Sequence, residues 1–289
     1  MDILKYRYIS YLFSLTLIIV SVYYLTAKGL NFSTEFTGGT RIVFKTRLDL
    51  EKIKTSVEEI TKENFKINEI SKDTYSLEIP KSYNPEETEK MKGDLESKLD
   101  IYTIDSLEVV QPTIGRELTT KTIIAVVFSV LIIFIYVWYA FRNFLSSISA
   151  VLAMLHDTFI LVGLFSIFNN FFQAEVDLLF VTAILTILSF SLYDTIVIFD
   201  KIREINKRSK TMDQLAIINK AIERTMVRSI NNSLTTIIVL FSLALFVQGS
   251  LYWFTISLLL GVILGTYSSP FIAAALLYDL GNLTRKTKK

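Results

Sequence analysis

Apolar and polar positions are patterned on two length scales along the chain. On the longer scale, apolar runs near the roughly 20 residues that cross a hydrocarbon core recur at residues 9–27, 122–141, 145–168, 177–199, 230–247 and 251–278. On the shorter scale, residues 29–117 are polar, with apolar positions spaced as in short strands and amphipathic helices. The pattern predicts a polytopic α-helical membrane protein: six transmembrane helices, and one extracytoplasmic α+β domain of ferredoxin-like type between spans one and two. The expected division is 1–28 (N-terminus and first span), 29–117 (the domain) and 118–289 (the remaining spans, an amphipathic loop at 200–228 and a basic C-terminal tail). Leu25-Thr-Ala-Lys28 offers no A-x-A-like cleavage site, so the first span reads as a retained helix.

Within the polar segment, residues 40–46 read as a strand and 48–63 as a helix with Leu50, Ile53, Val57 and Ile60 on one face. Residues 65–70 and 74–79 read as a hairpin, 85–99 as a second helix with Pro85 at a tolerated N-terminal position, and 104–111 as a last strand. The order βαββαβ is that of the split-βαβ, ferredoxin-like motif. Its charges are scattered as on a solvated surface, and an exposed strand edge leaves peptide binding open.

Charge sets the orientation. Lys5, Arg7, Arg142, Lys201, Arg203, Lys207, Arg208, Lys210, Lys220, Arg224, Arg228, Arg285, Lys286, Lys288 and Lys289 all fall on one side of the six-span scheme. The other side has Glu175 and Asp177 in residues 169–177, without Lys or Arg, and the tight turn Gln248-Gly249-Ser250. By the positive-inside rule both termini and the basic loop are cytoplasmic and residues 29–117 extracytoplasmic. Residues 49–100 carry 14 acidic against 9 basic side chains, which does not oppose that orientation. The basic residues read as topology determinants and anionic-lipid contacts rather than as a nucleic-acid site. In the basic loop, Thr211-Met-Asp-Gln214 fits a capping box and Leu215, Ile218, Ile222 and Met226 share a face, so a surface-lying helix is expected.

The chemistry candidates are few. Asp194 lies some four turns into the fourth span, where an ionisable side chain costs about 2.5–3.5 kcal/mol on the insertion scale. It should therefore face protein or trapped water. Thr182, Thr186, Ser189 and Tyr193 form one helical stripe with Asp194 at its edge, a candidate wet seam. Arg228 opens the fifth span, and helix lengths of about 30 Å from Arg228 to Gln248 and about 26 Å from Asp177 to Asp194 put the two charges at similar depth. Asp194 reads either as a proton or ion relay or as a structural ion pair or cap, and Arg228 either as its partner or as an interfacial anchor. Tyr193, Thr195, Ser189, Asn232 and Thr236 are candidates for the surroundings.

His156-Asp157, in the third span, reads as a shuttle or as an interhelical hydrogen-bond donor. Adjacent helical residues point about 100° apart, so the two are not expected to face each other. Ser257, Gly261, Gly265, Ser269 and Ala273 recur every four residues, a small-residue face for close helix packing.

Composition removes other chemistries. There is no cysteine and a single histidine, so no disulfide, thiolate site or full metal-ligand set is expected, nor any cofactor. No G-x-x-x-x-G-K-[ST], G-x-G-x-x-G or G-x-S-x-G motif occurs, which leaves nucleotide and acyl-enzyme chemistry without support. Tyr193-Asp194 matches the Tyr-Asp motif of intramembrane aspartyl proteases, but the second signature, Gly-x-Gly-Asp, is missing and Asp157 would have to replace it.

Several motifs together resemble a family. Glu35-Phe-Thr-Gly-Gly-Thr40, Pro112-Thr-Ile-Gly-Arg-Glu-Leu118, His156-Asp157, Asp194-Thr-Ile-Val-Ile-Phe-Asp-Lys-Ile-Arg-Glu204, Thr225-Met-Val-Arg228 and Ser233-Leu-Thr-Thr236 are similar, in order, to segments of the SecF family. The resemblance implies a subunit paired with SecD in the bacterial cytoplasmic (inner) membrane, in an assembly like the resistance-nodulation-division exporters. It further implies association with the SecYEG channel and use of the proton-motive force to assist preprotein export, with Asp194 and Arg228 implicated in proton conduction. A non-transducing scaffold is the competing reading. Three positions depart from the family pattern: Glu35 stands for the usual Asp, Gln111 for the Gly before Pro112, and Tyr193 for the Asn beside the aspartate.

Overall fold

The sheet of the polar segment turns its apolar side chains to one face, against two helices. The computed structural model describes residues 3–172, 174–209 and 212–286. After a 3-10 turn, helix α1 (Arg7–Ala27) leads into a single turn, α2 (Thr34–Thr37), and then into β1 (Gly39–Lys45), α3 (Leu50–Ile60), β2 (Lys66–Ser71), β3 (Thr74–Ile79), α4 (Pro85–Leu99) and β4 (Thr103–Val110). The four strands are antiparallel in the order β2-β3-β1-β4, the split-βαβ arrangement. Ile42 and Phe44 of β1 and Leu77 and Ile79 of β3 point to one face and close on Ile53 and Val57 of α3 and Leu95 and Leu99 of α4, all essentially solvent-free. Asn84 caps α4: its side chain accepts from Glu87 N, and Glu87 reaches back to Asn84 N.

Six helices are long and apolar enough to cross a membrane: α1 with its preceding turn, α5 (Pro112–Phe141), α6 (Phe144–Phe172), α7 (Leu178–Arg208), α8 (Gln214–Ala244), and the run from α9 (Gly249–Ser268) through a π-helical turn (Ser269–Ala273) into α10 (Ala274–Lys286). Helices α6, α7 and α9 form the interior, while α1, α5 and α8 lie on the periphery with much apolar surface exposed. At one end Asp279 ties α10 to α1, pairing with Arg7 Nε at 3.3 Å and accepting from the Tyr11 hydroxyl at 3.0 Å.

Two expectations need correction. The amphipathic loop at 200–228 is not a loop: α7 continues to Arg208, and α8 begins at Gln214, capped by the Asp213 side chain. No Pro or Gly occurs between Gln214 and Gln248, so the expected surface helix and the fifth span are one rod. Its apolar face, with Ile218 and Ile222, packs on Leu4, Ile198 and Phe199 of the bundle instead of lying on lipid. The capping box proposed at Thr211 falls outside the described residues. The second correction is that α5 starts at Pro112, so residues 112–117 belong to the helix of the second span and not to the domain. Gln111 takes an ordinary extended conformation, so the turn does not require glycine.

The Glu35-Phe-Thr-Gly-Gly-Thr40 segment is where the domain joins the bundle. Residues 31–33 bond to Val176: Val176 N donates to Asn31 O at 2.8 Å and Ser33 N to Val176 O at 3.0 Å. Gly38 has φ +76 and lies so close to Pro112 that a Cβ would come within 2.6 Å of its Cα; at Gly39, φ is +139 and a Cβ would meet Ile79 O at 2.5 Å. Only glycine fits these two positions, because both the backbone angle and the space forbid a side chain. Phe36 enters a cluster with Phe165, Val176 and Phe180, in which the Phe165 and Phe180 rings stack at 3.9 Å.

Candidate functional site

Asp194 sits on the inner side of α7 and is 2% exposed. Its nearest polar neighbours come from α8, the Ser229 hydroxyl and the Arg228 guanidinium. Asp194 Oδ2 and Ser229 Oγ stand side by side, and neither makes a hydrogen bond of full geometry to another group. Among the described residues Asp194 forms no ion pair. Arg228 Nη2 instead donates to the Tyr193 hydroxyl at 3.1 Å.

The stripe Thr182, Thr186, Ser189 and Tyr193 does lie along one face of α7, but that face is exposed, and Asp194 is turned away from it. On α8, Arg228, Asn232 and Thr235 are exposed as well. Thr236 bonds within its own helix, to Asn232 O at 3.1 Å. Thr195 reaches across to the π turn, its hydroxyl 2.9 Å from Ser269 Oγ.

Asp157 of α6 is fully buried, and its Oδ2 accepts hydrogen bonds from Ser191 Oγ of α7 at 2.6 Å and from Ser268 Oγ at the end of α9. Its other oxygen lies 3.0 Å from His156 Nδ1. This corrects the expectation that the pair do not face each other: helical periodicity fixes the Cβ directions, and the His156 and Asp157 torsions close the remaining gap. The other ring nitrogen, His156 Nε2, is buried without a partner. One carboxylate thus joins three helices. Asp157 and Asp194 share no hydrogen-bond partner, so they do not form the shared-proton dyad that aspartyl protease chemistry needs.

The small-residue face of α9 packs on the helix that carries Asp194. A Cβ on Gly261 would run into the Ile187 side chain at 2.2 Å, and one on Gly265 would stand 3.0 Å from Ser191 Cα. Ser257 and Ser269 are buried along the same side. Ser191, Ser229 and Ser268 escaped sequence reasoning. Ser191 precedes Asp194 by three residues, one helical turn, and that spacing is the one signal that pointed to it.

The N-terminus of α7 carries two carboxylates. Asp177 Oδ1 accepts from Phe180 N at 2.8 Å, and Glu35 Oε2, from the glycine-containing segment, accepts from Leu178 N at 2.8 Å. Burial holds Glu35 above the usual carboxyl range, while the Leu178 N–H pulls it partly back.

Comparison with known proteins agrees with this architecture. A family model described as protein export membrane protein SecD/SecF, C-terminal, matches residues 90–283, and one for the SecD/SecF GG motif matches residues 23–47. The chain is 35% identical to the protein translocase subunit SecF of Thermobaculum terrenum, over 97% of this chain and 94% of that protein. It is 34% identical to the protein translocase subunit SecDF of Brucella abortus, over 90% of this chain but 34% of that longer protein. The crystal structure of SecDF, a translocon-associated membrane protein from Thermus thermophilus, superposes with a TM-score of 0.87 at 27% identity, covering 98% of this chain and 39% of that one. With both family models matched, 35% identity over nearly the whole of a named subunit, and six membrane-crossing helices with a ferredoxin-like domain between the first two, the chain belongs to the SecF family of multi-pass protein translocase subunits.

Proposed function

We propose that the chain is the SecF partner of SecD in a proton-driven complex that assists preprotein export through the SecYEG channel of the bacterial cytoplasmic membrane. Both termini lie in the cytoplasm and the ferredoxin-like domain outside, in accord with the Lys and Arg bias of the loops. The observation that carries this reading is Asp194, a carboxyl 2% exposed that forms no ion pair among the described residues, with the Ser229 hydroxyl and the Arg228 guanidinium of α8 beside it. A group left so is poised to gain or lose a proton without unfolding its surroundings.

In the mechanism, ionised Asp194 draws Arg228 away from Tyr193, or takes a cation from SecD. Protonated Asp194 needs no cation and keeps only the neighbouring Ser229 hydroxyl. The switch changes how α7 and α8 pack, and α7 transmits it over the 16 residues from Asp194 to Leu178, about 24 Å, to the Glu35 contact at the base of the domain. One proton moving down about 100 mV supplies about 2.3 kcal/mol, enough to bias a two-state equilibrium but not to reverse it completely. SecD covers the exposed polar face of Thr186, Ser189, Tyr193, Arg228, Asn232 and Thr235, which is costly to leave against lipid.

The test is Asp194→Asn in vesicles with an imposed proton gradient. Gradient-dependent export is lost while SecD still co-purifies. Unchanged export excludes the relay, and loss of SecD with the substitution favours the scaffold reading.

A further inference from the structure

On the domain side of the membrane, the sheet's outer face meets the bundle across a cleft of about 640 Å³ lined by Arg41 and Ser76 above and by Glu175, Phe172 and Trp253 below. Glu175, in the short connection between α6 and α7, reaches the carboxylate of Glu78 on β3. Glu78 is 7% exposed, and its Oε1 accepts no hydrogen bond. Arg41 Nε of β1 stands 3.5 Å from that oxygen and donates to Ser76 Oγ at 3.3 Å. Lys66 of β2 also acts on Glu175, and Glu69 of β2 lines the same cleft. Asp177 and Glu35 are engaged at the other end of the connection, on the first N–H groups of α7. Two carboxylates thus face one close guanidinium in a partly dehydrated joint, and one negative charge is in excess.

We propose that Glu175, docked against Glu78 and Arg41, holds a proton, and that this second proton site, outside the membrane, latches the ferredoxin-like domain to the α6–α7 connection. Burial first, and then the Glu78 carboxylate, push Glu175 up to about 8 despite the pull of Arg41 and Lys66. When the domain lifts away, Glu175 returns to water and to its ordinary value of 4.5. The docked state therefore binds the extra proton. Docking is strongest below the ordinary carboxyl value, weakens as pH rises from there to about 8, and levels off above it. Within that window the undocked-to-docked ratio rises by up to about tenfold per pH unit. The latch needs no titration of Asp194.

The chain has no cysteine, so Glu96→Cys on α4 and Phe246→Cys between α8 and α9, both at exposed positions, accept a pair of spin labels without competition. Distances are measured on the full chain in lipid nanodiscs between about pH 5 and about pH 9.5. The separated population is expected to grow with pH in the parent. It should stay small and constant in Glu175→Gln and in Glu78→Gln, which keep a hydrogen-bonding group but remove the repulsion. Asp194→Asn should leave the response intact. A parent distance that does not change with pH, Gln variants that respond as the parent does, or a response abolished by Asp194→Asn would each overturn the latch.

Discussion

Arg228 rests on the Tyr193 phenol, at 3.1 Å, and not on the neighbouring carboxylate of Asp194. The two acceptors are consecutive on α7 and point about 100° apart, Tyr193 outward at 46% exposed and Asp194 inward at 2%. The arginine therefore stands close enough to act on the buried acid while making its own hydrogen bond outside. Tyr193 supplies that resting place.

Tyr193→Phe removes the phenolic acceptor and leaves the ring. Because Arg228 is exposed in this chain, the lost hydrogen bond is worth about 1 kcal/mol or less, roughly a fivefold change in the resting population. Under the relay reading, gradient-driven export should shift in its pH profile while SecD association is retained. Tyr193→Asn, which restores a polar side chain, should recover part of the shift. An unaltered pH profile in Tyr193→Phe removes the tyrosine from the mechanism.

At the other end of α7, Glu35→Ala deletes a carboxylate that accepts from Leu178 N. The loss should resemble that of an N-cap, about 1 kcal/mol, and should appear as faster hydrogen exchange in the first turn of α7. Glu35→Gln keeps an acceptor and removes a charge whose burial is unfavourable. It should exchange like the parent or more slowly, and at low pH, where the parent carboxyl is itself protonated, the two should converge. If Gln and Ala behave alike, the hydrogen bond is not what holds the segment.

The spans and the βαββαβ order were legible because both depend on local periodicity, and β3 and α4 fall on the residues that the hairpin pattern and the Pro85 start indicate. The continuation of α7 and α8 was not, because the charged residues of 200–228 report contact with water, which a helix emerging from the membrane satisfies as well as a loop does. The His156–Asp157 contact depends on side-chain torsions, about which spacing is silent. Ser191 and Ser268 meet at Asp157 only because α6, α7 and α9 converge there, a tertiary fact with no trace in any one segment. The outward direction of the Thr182–Tyr193 stripe was hidden for the same reason: periodicity shows that a face is polar, and neighbours decide whether it is inside.

Gly265→Ala places a methyl 3.0 Å from Ser191 Cα, against backbone that cannot rotate away, whereas the methyl of Gly261→Ala meets only the Ile187 side chain. Both should destabilise the bundle, by about 1–3 kcal/mol, through overpacking. Gly265→Ala should do so with an added effect at Asp157, because it displaces the residue whose hydroxyl binds that carboxylate. Combined with Ser191→Ala, Gly265→Ala should cost less than the sum of the two single changes in thermal unfolding of the purified protein. Strict additivity would show that the two positions act separately.

Asp157 offers the sharpest separation of charge from hydrogen bonding. Asp157→Ala leaves the Ser191 and Ser268 hydroxyls without their acceptor, leaves His156 Nδ1 unpaired, and opens space among three helices. The expected loss is roughly 2–4 kcal/mol. Asp157→Asn keeps one oxygen with two lone pairs, sufficient for both serine hydroxyls, and turns an N–H toward His156, whose Nδ1 accepts it in the neutral Nε2–H tautomer. It should lose less than half as much in thermal unfolding and should keep gradient-driven export, since the carboxylate acts here as an acceptor that joins α6, α7 and α9. An Asn variant as unstable as Ala would mean that the negative charge itself holds the junction, and an Asn variant that is stable but inactive would place Asp157 on the proton path beside Asp194.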